Sequence, residues 1–221
     1  MNKSLSIIAL STVLASSTLL SAPVSAVEGL SANAAVTNNY LWRGVTQTNN
    51  AAAVSGGLDY AHKSGAYAGT WVSNADWAEE MSYELDFYAG YANELENGIG
   101  YDVGVIYYAY DKAAESDFSE VYVSISYDAY SFTYNTLIDS DAGGKFADDT
   151  YLSADAEFEV AEGLGLGLHI GRYDFKEAGN YIDYGVALSK EGFTFGVSKT
   201  DLSGADGDVN FTVSYAVDFD L

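Results

Sequence analysis

Acidic residues spaced two positions apart are the groups in this sequence that most directly suggest chemistry. Glu84 and Asp86 form one such pair, and Asp155 and Glu157 form another. Alternate residues of a β-strand point to the same face of a sheet, so each pair would place two carboxylates side by side. Such a pair suits either the acid and base of a glycosidase or the wall of a cation-conducting channel.

Histidine, the usual catalytic base, occurs at two positions, His62 and His169. His62 lies beside Lys63 in a short turn, where a solvated side chain is the default. His169 lies between Gly167 and Gly171, and no Ser-centred motif is near it in sequence. Since nucleophilic catalysis needs a base oriented next to a nucleophile, and no segment suggests a sugar-binding cleft, we interpret the acid pairs as pore lining. The sequence predicts no enzymatic activity and no cofactor.

Metal binding finds little support in the sequence. There is no cysteine, which excludes disulfides and thiolate ligands. The segments 139–143 and 201–208 are acidic, but the first has Thr150 where an EF-hand loop needs its twelfth-position Glu. We interpret both as solvated loops, with weak divalent binding at the cell surface as the alternative, and predict no metal site.

The charge balance limits the partners. The chain has 9 basic and 32 acidic residues, a formal net charge of −23. Nucleic-acid binding requires clustered Lys and Arg at the phosphates, so we predict no nucleic-acid partner.

Residues 1–26 have the features of a cleaved secretory signal. Lys3 precedes an apolar stretch around residues 5–20, and Pro23 precedes a small-x-small site at 24–26. An amino-terminal membrane anchor is the alternative, but Ser and Thr interrupt the stretch, which is shorter than the ~20 apolar residues of a spanning helix. We therefore predict a signal peptide at 1–26 and one domain at 27–221.

The mature chain alternates between apolar and polar residues, most regularly at its end. From Val209 to Leu221 every second residue is large and apolar, and the residues between are small or polar. This period is typical of a β-strand with one face in an apolar medium. Twelve strands of this kind are predicted at 29–40, 51–61, 65–73, 82–93, 98–110, 119–128, 130–139, 150–160, 163–174, 181–189, 192–200 and 209–221.

The connections between these strands alternate in length. Short ones are predicted at 62–64, 94–97, 128–130, 161–162 and 190–191, and longer ones at 41–50, 74–81, 111–118, 140–149, 175–180 and 201–208. An even number of antiparallel strands with short turns at one end and long loops at the other is the layout of an outer-membrane β-barrel. A soluble barrel with a packed aromatic core is the alternative, but the second face is rich in glycine and small polar residues.

The two strand faces are predicted to meet lipid and lumen. Rows such as Leu164, Leu166, Leu168 and Ile170 are assigned to lipid, with tyrosines at the row ends as an aromatic girdle. For the strand at 65–73 either face fits lipid. With these registers, the candidate pore-lining residues are Asp59, Glu84, Asp86, Asp102, Glu120, Asp155, Glu157 and Asp183.

No Lys or Arg is predicted on the inner face of the strands. Arg43, in the first long connection, is a candidate loop or mouth residue. A solvated loop charge is the favoured interpretation, and an inward fold of the loop that brings this cation into an acidic mouth is the alternative. The acids themselves have an alternative too: hydrogen bonding to Tyr and Ser in a plugged interior.

A family resemblance is carried by three segments. They are TNNYLWRGVTQT at 37–48, GGLDY at 56–60 and GAYAGTW at 65–71. The chain resembles the TorF-type porins of Gram-negative bacteria over its whole mature length, most specifically in the Tyr-x-x-Arg-Gly-x-x-Gln segment. The resemblance implies an outer-membrane β-barrel without specifying a solute.

Taken together, these patterns predict an all-β, closed antiparallel barrel acting as an outer-membrane porin-like channel. The acidic lumen predicts passive diffusion of small, preferably cationic or neutral solutes. The alternative is a filled-lumen barrel with a surface-binding or structural role. Expected partners are outer-membrane lipid and lipopolysaccharide, small solutes, and the barrel assembly machinery acting on the C-terminal strand, which ends at Leu221 where many such proteins end in Phe.

Overall fold

The computed structural model describes residues 27–112 and 115–221. The predicted signal peptide at 1–26 lies outside the described residues. Within them, twelve long antiparallel strands form a closed barrel in which chain neighbours pair and the first strand closes on the last. The strands are β1 (Leu30–Thr37), β2 (Leu41–Trp42), β3 (Val45–Thr46), β4 (Ala53–Ala61), β5 (Ala66–Asn74), β6 (Tyr83–Glu94), β7 (Ile99–Tyr110), β8 (Phe118–Tyr127), β9 (Tyr130–Ser140), β10 (Thr150–Ala161), β11 (Leu164–Phe175), β12 (Gly179–Lys190), β13 (Phe193–Thr200) and β14 (Asn210–Asp220).

The barrel confirms the predicted fold class and strand number. β1 and β4–β14 form its wall, while β2 and β3 pair only with each other. The first predicted strand was too long: β1 ends at Thr37, not at residue 40. Beyond Thr37, the side chain of Asn38 takes the place of strand pairing. Its Nδ2 donates to the Phe211 carbonyl at 3.0 Å, and its Oδ1 accepts from the backbone N–H of Val213 at 2.6 Å.

The apolar rows face outward, as the alternation predicts. On β12, for example, Val186 is exposed and lies in register with Leu168 of β11 and Val197 of β13, both also exposed. For β5, which the sequence left open, Val72 is exposed on the outer face and Tyr67 is buried on the inner one. The outer wall is therefore a continuous apolar surface, as a barrel in lipid requires.

The two ends of the barrel differ. Turns at 62–65, 95–98, 128–129, 162–163 and 191–192 form one end, called here the turn end. Glu191 and Gly192 both have positive φ, 51° and 83°, as a two-residue type I′ hairpin requires. Connections at 38–52, 75–82, 111–117, 141–149 and 201–209 form the loop end. The connection predicted at 175–180 is shorter than expected, since β11 continues to Phe175 and β12 begins at Gly179.

A short 3₁₀ turn, Gly204–Gly207, lies in the last long connection. Among the residues that the structure describes, no helix has the length and apolar character needed to cross a membrane.

Candidate functional site in the barrel lumen

The first long connection folds into the barrel. Residues 38–52, called here the inner hairpin, contain the two-stranded ribbon of β2 and β3, in which Leu41 pairs with Thr46 and Trp42 with Val45. Between these strands Arg43 and Gly44 have φ of 49° and 81°, the pair of positive values that a type I′ turn needs. The turn thus places a cationic side chain at the tip of the ribbon.

Arg43 is held by Glu120 of β8 on the barrel wall. Two guanidinium nitrogens donate to the two carboxylate oxygens, at 2.9 and 2.6 Å. The side chains are only 6% and 1% exposed. Burial alone would lower the pKa of Arg43, but the adjacent Glu120 carboxylate raises it well above its ordinary value. Arg43 is therefore a buried, charged anchor and not the solvated loop charge that the sequence favoured.

Aromatic rings surround the same guanidinium. Its central carbon lies 4.3 Å from the ring centres of Trp42 and Tyr151 and 4.7 Å from that of Tyr173, within the range of cation–π attraction. The Tyr181 hydroxyl donates to the Arg43 carbonyl at 3.1 Å. Tyr151, Tyr173 and Tyr181 are buried together with Trp42 packed against them. The lumen is thus filled by rings at this level.

A second anchor joins the inner hairpin to β6. The Tyr40 hydroxyl donates to Glu84 Oε1 at 3.0 Å, and the Tyr40 ring packs edge-on against Trp71 of β5, with 5.3 Å between ring centres. Burial, and next the negative charge of Glu84, raise the pKa of Tyr40 well above its ordinary value. Tyr40 therefore remains a hydrogen-bond donor to Glu84.

A cluster of one histidine and two acids links three adjacent wall strands, β10, β11 and β12. His169 on β11 contacts Asp155 Oδ1 through Nδ1 at 2.6 Å and Asp183 Oδ1 through Nε2 at 2.7 Å. The Tyr151 hydroxyl lies 3.1 Å from Asp183 Oδ2. Carboxylates only accept, so this arrangement suits an imidazolium between two acids. His169, which has no catalytic partner of the Ser type in sequence, is thus an ion-pair partner of two candidate pore residues.

Nearer the turn end, tyrosines satisfy the other predicted acids. Tyr88 donates to Asp59, which also accepts from Asn33 Nδ2 at 3.0 Å. Tyr67 donates to Asp102 Oδ1 at 2.6 Å and bonds the Tyr122 hydroxyl. Every predicted pore-lining residue therefore lies on the inner face, but several are engaged with Tyr, Arg or His.

Exposure changes along the barrel axis. Glu120 and Asp183, near the inner hairpin, are 1% and 3% exposed in their side chains, whereas Asp155, further toward the turn end, is 35% exposed. Glu157, nearer still to that end, is exposed as well. The acids beside the inner hairpin are therefore buried, while those nearer the turn end are accessible to solvent.

The basic residues of the described strands lie on the other face. They are Arg172, Lys190 and Lys199, and all continue the outward rows. Sequence reasoning did not identify Trp42, Tyr151 and Tyr181 as functional residues. For Trp42, a signal was available in the sequence. Arg43-Gly44 suits a tight hairpin turn between the two-residue segments Leu41–Trp42 and Val45–Thr46.

The closed antiparallel wall, apolar outside and polar inside, defines a small porin-like barrel. The chain belongs to the Gcw_chp family, described as bacterial proteins of unknown function, whose model matches residues 21–219. The TorF-type label drawn from the motifs stays a prediction. No curated protein sequence is significantly similar to this chain.

Solved structures show the same fold. The KdgM porin superposes with a TM-score of 0.55 at 10% identity, covering 86% of this chain and 99% of that one. A KdgM porin in complex with disordered oligogalacturonate gives 0.52 at 11% identity, with coverage of 86% and 95%. A structure from work on in-meso crystallization of membrane proteins gives 0.56 at 12% identity, with coverage of 86% and 85%.

Proposed function

We propose that this protein is an outer-membrane diffusion channel for small cationic or neutral solutes, closed at the loop end by the inner hairpin in the described conformation. The observation that carries the proposal is the charge of the wall. The inner face presents Asp59, Asp102, Asp155 and Glu157 toward water, and the described strands place no Lys or Arg on that face. Acids outnumber the lumen cations Arg43 and His169, and a wall of net negative charge concentrates cations and repels anions.

The same wall argues against the solute named with the structural relative. Oligogalacturonate, which is bound to KdgM in one structure, carries a carboxylate on each sugar. An acidic lumen would repel such a chain at every step. The shared barrel therefore supports a channel, while the charge on this chain supports a different solute class.

A second candidate function, a filled barrel with a surface or structural role, is favoured by the inner hairpin itself. Arg43 and Glu120 are both buried, and breaking such a pair is costly because an uncompensated charge stays behind. If the inner hairpin never leaves, the lumen does not conduct. Conductance of the purified protein separates the two candidates.

The selectivity test compares two pairs of neutralised acids. We expect the wild type to be cation-selective under a KCl gradient in planar bilayers, and Asp155→Asn with Glu157→Gln to reduce the reversal potential. The effect should shrink in concentrated salt, because the screening length falls from ~10 Å at 0.1 M to ~3 Å at 1 M.

The matched control is Glu177→Gln with Asp206→Asn, which removes the same charge from exposed loop-end positions. Both pairs are also measured in the Arg43→Ala background, in which the inner hairpin is expected to leave the lumen. Anion selectivity would refute the assigned solute class. Absence of current in the wild type and in that background would support the filled barrel.

The location in the outer membrane is part of the proposal. It is supported by the apolar outer wall and by a signal sequence predicted at 1–26, with insertion through β14 and contact with lipopolysaccharide at the loop end. An epitope inserted at Gly143, which is exposed with open space around it, should bind antibody on intact cells. One inserted at Ser64 should bind only after permeabilisation. The reverse result would invert the topology.

A further inference from the structure

Three buried polar atoms near the inner hairpin have no partner. Within the described residues, Glu84 Oε2, Asp86 Oδ1 and the Tyr108 hydroxyl make no hydrogen bond to a protein atom. The three residues are 1%, 6% and 2% exposed. Buried polar atoms in folded proteins nearly always have a partner, so these three atoms require a shared proton, bound water or a bound cation.

These three side chains share the inner face of two paired strands. Glu84 and Asp86 are alternate residues of β6 and share its inner face, and Asp86 lies directly opposite Tyr108 of β7 in the strand register. Residues opposite one another on a sheet face have neighbouring side chains. Tyr40 of the inner hairpin covers the same group, since it donates to the other oxygen of Glu84.

No basic side chain in the described structure neutralises the two carboxylates. Of the lumen cations, Arg43 has both terminal nitrogens on Glu120, and His169 is bonded to Asp155 and Asp183. Neither Glu84 nor Asp86 takes part in an ion pair found among the described residues. Buried carboxylates without a counter-charge are strongly unfavourable.

We propose that Glu84, Asp86 and Tyr108 form a binding site for one divalent cation of the Ca²⁺ type. All the available ligand atoms are oxygens, which hard cations prefer. The two carboxylates balance the double positive charge of the cation. Ca²⁺ accepts irregular oxygen shells completed by water. Water is needed here, because the described residues contain no group of three or more Asp, Glu, His or Cys suited to a metal. The site does not depend on whether the barrel conducts.

The test uses the refolded protein in detergent, with CaCl₂ titrated by calorimetry and Tb³⁺ as a luminescent probe. Tyr108 and Tyr40 would sensitise Tb³⁺ bound at this site. We expect one saturable site in the wild type. Glu84→Gln with Asp86→Asn should weaken binding by about tenfold or more, the scale on which metal sites respond to a lost group, and Tyr108→Phe should weaken it while removing only the hydroxyl.

The control Glu177→Gln with Asp206→Asn should bind as the wild type does, and heat-modifiable gel mobility verifies that each variant folds. Equal binding by the wild type and the Glu84→Gln, Asp86→Asn variant would assign the signal to surface acids and overturn the proposal. Absence of Ca²⁺ binding by the wild type would also overturn it. An infrared carbonyl band of a protonated carboxyl that disappears in that variant would then show that the pair shares a proton.

Discussion

Replacing Arg43 with alanine is expected to raise single-channel conductance and to destabilise the inner hairpin. The variant removes the charge that neutralises Glu120 and the group that fills the space among Trp42, Tyr151 and Tyr173. Loss of one partner of a buried ion pair destabilises by about 3–5 kcal/mol. Such a loss can exceed what the remaining contacts contribute to keeping the hairpin inside the lumen.

Arg172→Ala is the matched control, because Arg172 is also bonded to a carboxylate, Asp174, but is half exposed on the outer wall. It should leave conductance unchanged. Glu120→Gln should resemble Arg43→Ala, and combining the two should be less damaging than their sum, as expected for residues that interact directly. Conductance of Arg43→Ala equal to that of the wild type would contradict a removable closure.

Gly44→Ala tests the same closure without altering any charge. A Cβ at this position would lie 2.7 Å from Asp183 Cβ and 2.8 Å from Thr200 Cγ2, and the backbone φ of +81° is unfavourable for alanine. The added methyl should push the hairpin away from β12 and β13. Currents in this variant that resemble those of Arg43→Ala would assign the effect to hairpin position and not to the lost charge.

Val186→Arg should largely abolish assembly into membranes. Val186 is exposed on the outer face near the middle of β12, with Leu168 and Val197 beside it. Arginine facing lipid at the bilayer midplane of a barrel costs about 2–4 kcal/mol. Membrane yield and heat-modifiable mobility measure the effect.

Ala187→Arg is the control from the same strand. Ala187 points into the lumen, where Gly167 and Gly196 are its partners on the two neighbouring strands, so an arginine there would face the lumen and not lipid. This variant should assemble nearly as well as the wild type. Similar losses for the two variants would mean that the outward register does not face lipid.

The wall of this barrel was predictable because its signal is local and repeated. Most strands alternate between large apolar and small polar residues, as Val209–Leu221 does, and so define both faces, whereas the strand predicted at 65–73 left either face open. Strand ends were less certain. The first strand was predicted to extend to residue 40, whereas the chain leaves the wall at Thr37, after which Asn38 bonds to β14 through its side chain.

The lumen was predictable only in part. The period places the carboxylates inside, but it does not show which partner each one finds. β2 and β3 contain two residues each, too few for any period to be visible, so the hairpin was not predicted and the inward fold of this loop was only the alternative. The contact between Arg43 and Glu120 joins positions 77 residues apart, and such pairing depends on barrel curvature and strand tilt, which no single strand encodes.

The position of the inner hairpin in the chain has a consequence for the order of folding. It follows the first strand, yet its anchors are on β6, β8, β10, β11 and β12, and the bond from Tyr181 to Arg43 spans 138 residues. Long-range contacts form late because their loop-closure entropy must first be overcome. The hairpin is made early during synthesis but can dock only after the opposite wall exists. Burial of the Trp42 ring therefore marks one of the last steps in maturation of this barrel.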